Sequence, residues 1–137
     1  EISSISLFRN GILPKWEDSK NKDGGEIAIK RIAFNDLDKL WEKLSILCIS
    51  ENFNISQDIT GIRVVDSSII NRNKSLYRIE LWFSNKKNKE LIESTFREKL
   101  GLDSFIQLHF KEHLTAVEST PKKKVYSSKN LSRMNTF

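Results

Sequence analysis

The sequence predicts an α+β domain in which a mainly antiparallel β-sheet is covered by helices on one face. Residues 77–83 have an apolar side chain at every second position, at Tyr77, Ile79, Leu81 and Phe83, which is typical of a strand with one buried face. Residues 36–50 and 88–100 instead follow the helical period. Since strands and helices alternate irregularly over 137 residues, we expect one domain of this class with its own core.

The first half of the chain predicts one strand and one helix. Residues 1–15 are expected to be irregular, and residues 27–34 form a buried strand because they are rich in β-branched side chains. Asn35 and Asp36 resemble a helix cap. The helix that follows has one apolar stripe, made of Leu37, Leu40, Trp41, Leu44, Leu47 and Cys48.

Two further apolar residues of this helix, Ile46 and Ile49, lie off the stripe on the far side. Polar residues are expected there in a helix that packs on one face only. They are either a small docking patch for a partner or isolated exposed apolar residues, which are common. The sequence alone leaves both readings open.

The second half predicts a hairpin, a helix and a last strand. Residues 62–65 form a short strand, residues 66–75 a polar connection, and residues 105–111 the last strand after a helix that stops at Gly101. In residues 77–83 one face is core, whereas the other carries Arg78, Glu80 and Trp82. Trp82 is either part of a binding surface or covered by the tail or a loop. Hairpin pairing would bring Arg63 close to Trp82. Residues 118–137 read as a mobile basic tail.

The loop GILPKWEDSKNKDGG, residues 11–25, carries an unusual triplet, Trp16-Glu17-Asp18. An indole face can stack on a flat, electron-poor group while a carboxylate accepts hydrogen bonds from its edge. The alternative is a core tryptophan beside a solvated acidic turn. With the Trp82 face, this loop gives a second sign of a binding surface built from aromatic and charged groups.

Catalytic and metal-binding patterns are absent from the sequence, so we expect no enzyme, cofactor or metal. There is no glycine-rich phosphate motif, the two histidines lack ligand-spaced partners, and Cys48 lies on a core stripe. No apolar run approaches the ~20 residues of a membrane span. The net charge is +5, with carboxylates in excess over residues 1–60 and cations in excess downstream.

These residue types fit a nucleotide with a flat base and a phosphate tail. A guanine edge presents two adjacent donors, which one carboxylate accepts in a bidentate arrangement. A base with a fixed positive charge gains roughly 0.5–2 kcal/mol from stacking on tryptophan. Phosphates require Arg or Lys nearby. This describes a methylated guanine cap.

The chain also resembles the translation initiation factor 4E family, on the segments GILPKWEDSKNKDGG, DLDKLWEKLSILCISENF, RIELWF and FREKLGLDSFIQLHFKEH. The resemblance implies a curved sheet with helices on its convex face and a site for the 7-methylguanosine cap of mRNA on its concave face. Trp16 would stack on the base, Glu17 would accept from its edge, and Trp82 would touch its methyl group. Asp18 would be structural.

For the phosphates, the resemblance implies a role for Arg78, which stands where the family has a lysine. Either Arg63 or Arg72 could substitute for a second arginine of the family. Glu26 departs from the pattern, because an arginine is usual there.

For partners, the resemblance places Ile46 and Ile49 on the surface that docks an initiation factor 4G-type scaffold or a 4E-binding repressor protein. Lys43 replaces a family glutamate and therefore predicts an altered partner preference. The implied location is cytoplasmic. The implied function is cap binding in translation initiation, and the alternative is a divergent repressor or interaction module with weak or no cap binding.

The family's first cap-stacking tryptophan, first strands and first helix have no counterpart here. We therefore expect residues 1–117 to be a cap-binding domain that begins inside the family fold, followed by the tail at 118–137.

Overall fold

A computed structural model describes residues 3–51, 56–68 and 74–114, which form one antiparallel sheet and two α-helices. The sheet is curved and has the order β1-β3-β4-β2-β5, with every neighbouring pair antiparallel. The strands are β1 (Ser4–Phe8), β2 (Gly25–Ala33), β3 (Ile59–Asp66), β4 (Leu76–Phe83) and β5 (Leu108–Glu112). The helices are α1 (Phe34–Ile49) and α2 (Lys89–Leu100), and short 3-10 turns span Ser56–Asp58 and Lys86–Asn88. The predicted α+β class is confirmed.

The core lies between the helices and one face of the sheet. In β4, the predicted alternation holds, because Ile79, Leu81 and Phe83 are fully buried in the core. From the helices, Leu44 and Phe96 are also fully buried, and the other residues of the predicted α1 stripe pack around them. Burial of each such side chain contributes roughly 1.5–3 kcal/mol relative to exposure.

The expectation that residues 1–15 are irregular is wrong for β1. This five-residue strand pairs antiparallel with β3, from Ser4 opposite Val65 to Phe8 opposite Gly61. A segment this short carries little periodic signal, and what makes it a strand is the edge of β3 that it covers. The pairing directs Leu7 to the core and Phe8 to the opposite face of the sheet.

The start of α1 also differs from the prediction, which placed the helix cap at Asn35 and Asp36. The helix begins at Phe34, its N-cap is the extended residue Ala33, and no side chain caps it. Asp36 therefore lies inside the first turn, where its carboxylate interacts favourably with the positive end of the helix dipole. The end of α2 is as predicted, because Gly101 has a φ of 63° in the left-handed C-cap conformation.

The last strand begins at Leu108, three residues later than predicted. Phe105 lies in the preceding loop and is 83% exposed, whereas Ile106 packs against the core.

Neither α1 nor α2, the helices of the described residues, is long and apolar enough to cross a membrane. The predicted tail at 118–137 lies outside the described residues.

The junction before β2 requires Gly24. A Cβ atom at this position would lie 1.8 Å from the carbonyl oxygen of Phe83. Because that atom is backbone and cannot rotate away, Gly24→Ala should lower the free energy of unfolding by about 2 kcal/mol or more. Urea titration measures the change. Ser19→Ala, at an exposed position of the same loop, is the matched control, and an equal effect of the two variants would contradict the prediction.

Candidate functional site

The loop between β1 and β2 is fixed by its own polar side chains. The carboxylate of Asp18 accepts from the backbone N–H groups of Leu13 (3.0 Å) and Lys20 (2.9 Å). The buried amide of Asn21 donates to the carbonyls of Leu13 and Lys15 at 2.8 and 3.0 Å. These bonds satisfy backbone groups that a loop would otherwise leave to water. They agree with a structural role for Asp18 and hold Trp16 in place.

Trp16 is half-buried and carries a cation on its indole face. The ammonium nitrogen of Lys111, on β5, lies 4.0 Å from the ring centroid. Both residues border a cleft of about 150 Å³, which is further lined by Glu26, Ala28, Lys30, Arg63, Arg78, His109 and Phe110. Glu17 is exposed beside Trp16, and its carboxylate makes no hydrogen bond to the described part of the chain.

Trp82 lies on the predicted face of β4, and the structure decides against an indole that is open to a ligand and for one that is covered by other segments. The side chain is 0% exposed. It is enclosed by Phe8 edge-on (centroids 5.2 Å apart), by the imidazole of His113 (4.4 Å) and by the guanidinium of Arg63 (5.3 Å). Strand alternation assigns a face, but it does not say what covers that face. Here the cover comes from β1, β3 and the residue after β5.

Glu80 is the centre of the charges on this face of β4. Its carboxylate is 0% exposed and accepts from Arg63 Nε at 2.9 Å and from the indole N–H of Trp82 at 3.3 Å. Its other oxygen lies 3.3 Å from Arg78 Nε. The predicted proximity of Arg63 to Trp82 is thus confirmed, and the reason is that Glu80 holds them both. Because each guanidinium is only partly covered, the rest of its N–H groups line the cleft.

A second buried carboxylate, Glu26, lies next to Glu80. Burial raises the pKa of Glu80, and the neighbouring Glu26 carboxylate raises it further against the opposing effect of Arg63. Burial also acts to raise the pKa of Glu26, but its interactions with His113 (3.4 Å from Nε2), Glu80 and Arg63 outweigh that effect and lower the pKa. The two environments thus shift the pKa values of the two carboxyl groups in opposite directions, so that Glu80 holds a proton more readily than Glu26.

The structure therefore brings together three of the candidate site residues, Trp16, Arg63 and Arg78, around one cleft, which Glu26 also lines. Arg72 lies outside the described residues. Ile46, Ile49 and Lys43 are exposed on α1, which packs against the core side of the sheet. A group of three or more side chains able to hold a metal ion is absent from the described ranges.

Sequence reasoning missed Lys111 and His113 as parts of this site. Lys111 reaches Trp16 because its Cα pairs with that of Glu26 in the β2–β5 register. His113 is fully buried, and its Nδ1 lies 2.9 Å from the carbonyl oxygen of Asn21. Neither pairing leaves a local signal. Glu80 was signalled, since alternation already placed it between Arg78 and Trp82.

The buried carboxylate gives a pH prediction. An acid whose pKa is raised on folding stabilises the fold less as the pH rises from its unfolded value through its folded one. Glu80→Gln mimics the protonated form at every pH. The free energy of unfolding of wild type, minus that of Glu80→Gln, should therefore fall between pH 4.5 and pH 7. Urea titrations across that range measure it, and a rising difference would mean that the two arginines, and not burial, set the pKa.

The chain matches the sequence profile of the family described as eukaryotic initiation factor 4E over residues 1–128. It is 33% identical to human eukaryotic translation initiation factor 4E over 122 residues, which cover 83% of this chain and 54% of that protein. It is 32% identical to initiation factor 4E-1 of Schizosaccharomyces pombe over 117 residues, covering 81% of this chain and 51% of that protein. The chain thus spans about half the length of the curated relatives it matches.

Solved structures give the same fold. A schistosome eIF4E complexed with m7GpppG and 4E-BP matches with a TM-score of 0.69 at 26% identity, over 92% of this chain and 68% of that one. An eIF4E-3 of C. elegans with the 4E-binding protein Mextli and a cap analogue matches with a TM-score of 0.70 at 24% identity, over 88% and 67%. On the profile match and on identity above 30% to named relatives, this chain belongs to the eukaryotic initiation factor 4E family.

Proposed function

We propose that this chain binds the 7-methylguanosine 5′ cap of mRNA, and that Trp16 provides the stacking face for the base. The observation that carries the proposal is the ammonium of Lys111, 4.0 Å above the indole. The half-buried indole of Trp16 thus already has a positive charge over its face, in a cleft lined by several basic residues. A base with a fixed positive charge has the same electrostatic preference for that face.

Glu17 is the proposed acceptor for the guanine edge. It is adjacent to Trp16 in the fixed loop, and its carboxylate is uncommitted within the described residues. Arg63 and Arg78 are the proposed phosphate ligands, since both line the cleft while Glu80 hydrogen-bonds Arg63 and forms an ion pair with Arg78. Trp82 is enclosed and is not among the residues that line the cleft, so we assign it a supporting role behind Arg63 and Glu80. Contact between Trp82 and the methyl group requires Phe8, Arg63 or His113 to move aside.

The relatives support this assignment by name only. The human and S. pombe relatives are translation initiation factors, and the schistosome structure was solved with m7GpppG. The finer proposal for this chain is binding of the cap during translation initiation in the cytoplasm, without catalysis. Retention on a 7-methyl-GTP resin, released by 7-methyl-GTP and not by GTP, is the direct test. Failure to be retained would remove cap binding from this chain.

A second candidate function is a family member that works as a repressor or interaction module with weak or no cap affinity. One observation favours it. Glu26 puts a carboxylate in the cleft, where it opposes phosphate binding. The resin separates the two candidates, because only the first predicts release by 7-methyl-GTP at low concentration.

Glu17→Ala should weaken 7-methyl-GTP binding by about 2 kcal/mol or more, because two guanine donors lose their charged acceptor. Quenching of tryptophan fluorescence on titration measures the dissociation constant. Asp23→Ala is the matched control, since it removes an exposed carboxylate from the same loop. An unchanged dissociation constant for Glu17→Ala would take Glu17 out of the site.

We further propose that α1 docks a helical segment of an initiation factor 4G-type scaffold or a 4E-binding protein. Ile46 and Ile49 are 57% and 72% exposed, which agrees with their predicted place off the core stripe. Ile49 also borders a cleft of about 290 Å³ between the end of α1 and β1. The schistosome structure contains a 4E-BP and the C. elegans structure the protein Mextli. The nearby cation Lys43 favours a partner with a carboxylate at that position.

Ile46→Ala should weaken binding of such a helical peptide by about 1–2 kcal/mol and leave 7-methyl-GTP binding unchanged. Leu91→Ala, which truncates a 47% exposed apolar side chain on α2, is the matched control. Isothermal titration with peptide and with 7-methyl-GTP gives both affinities. Loss of both together would show that Ile46 is needed for the fold and not for docking.

A further inference from the structure

The strand β2 is interrupted by a bulge at Lys30 and Arg31. Its register with β4 shifts between Ile29 and Ile32, so one extra residue lies on the β2 side. Arg31 has a φ of 59°, a left-handed conformation that is costly for a residue with a side chain. Pairing with β5 also ends here, at Ile29 opposite Leu108. The bulge therefore projects two adjacent cations from a strand that is paired on one side only.

These two cations border two further clefts. One, of about 220 Å³, is also lined by Ser67, Leu76 and Arg78. The other, of about 470 Å³, is also lined by Ile106, Gln107 and His109. Neither cleft has a carboxylate among its lining residues. Lys30 and Arg31 are exposed, and their side chains form no ion pair with a described residue.

The bulge is continuous with the Trp16 cleft. Lys30, Arg78 and His109 line both the Trp16 cleft and the clefts beside the bulge. The proposed base position is at Trp16 beside Lys111, and the Cα of Lys111 pairs with that of Glu26. From Glu26 to Lys30 the strand advances about 13 Å. A ligand that runs from Trp16 past Arg78, the proposed phosphate ligand, would therefore reach the bulge next.

We propose that the Lys30–Arg31 bulge is a second binding site, which takes the phosphodiester backbone of the RNA that follows the cap. This rests on the proposed function, since the cap would set the direction of the chain. Unpaired cations without carboxylates favour phosphate oxygens, and the two clefts have no Phe, Tyr or Trp among their lining residues, so that the imidazole of His109 is the one aromatic ring there. The site therefore adds affinity without sequence preference.

The test compares 7-methyl-GTP with a capped hexanucleotide. The variant carries Lys30→Gln and Arg31→Asn, because Asn tolerates the left-handed conformation at position 31. The control carries Lys39→Gln and Lys99→Gln, which remove the same charge from α1 and α2. Affinities are measured between 50 and 200 mM salt, and the readout is the ratio of the two ligands' affinities within each protein.

Wild type and control should bind the capped hexanucleotide tighter than 7-methyl-GTP, and the bulge variant should lose that advantage. For the hexanucleotide, the slope of log affinity against log salt should become shallower by about 1.4, since each contact with a single strand contributes about 0.7. Over this salt range that is about a seven-fold smaller loss of affinity. An advantage absent from wild type, or retained in the bulge variant, overturns the proposal.

Failure of the cap proposal has a different signature, which is that wild type does not bind 7-methyl-GTP. The same two variants are then compared on an uncapped hexanucleotide with a 5′-triphosphate. A shallower salt slope for the bulge variant alone still supports a backbone site at the bulge. Equal slopes for the bulge variant and the control overturn it.

Discussion

The outer face of the sheet depends on the buried carboxylate of Glu80. Without it, the guanidiniums of Arg63 and Arg78 would have no fixed partner on β4, and the indole N–H of Trp82 would be buried without its acceptor. A buried polar group is tolerated only when it is hydrogen-bonded, and Glu80 accepts hydrogen bonds from Arg63 on β3 and Trp82 on β4. The same arrangement ties β3 to β4 and aims two cations at one cleft.

The two faces of the sheet carry different kinds of side chain. The helix-covered face holds aliphatic and phenylalanine side chains, and its packing supplies most of the stability. The opposite face holds ionisable groups whose positions are fixed by one another and by the loop that carries Trp16. Burial raises the pKa of Cys48 to about 12, so the only cysteine of the chain, on α1, is a neutral thiol with little nucleophilic character.

The sequence predicted what depends on local periodicity. The alternation in residues 77–83 correctly separated Ile79 and Leu81 from Glu80 and Trp82, and the apolar stripe of α1 and the helical period of residues 88–100 were correctly assigned. It failed where pairing at long range decides. β1 is a strand only because β3 offers it an edge, and Trp82 is enclosed only because Phe8, Arg63 and His113 arrive from other segments. The Lys111–Trp16 contact likewise comes from the β2–β5 register.

The cation on Trp16 has a consequence for the energetics of any stack on that ring. Under the proposed function, an incoming base exchanges places with Lys111, so the heat of binding reports a difference between two partners of the indole and not the stack itself. Every base displaces the ammonium at the same cost, but only a positively charged base restores a charge to the ring. In the free protein, the contact between Lys111 and Trp16 is thus the state relative to which the binding energy of any base is measured.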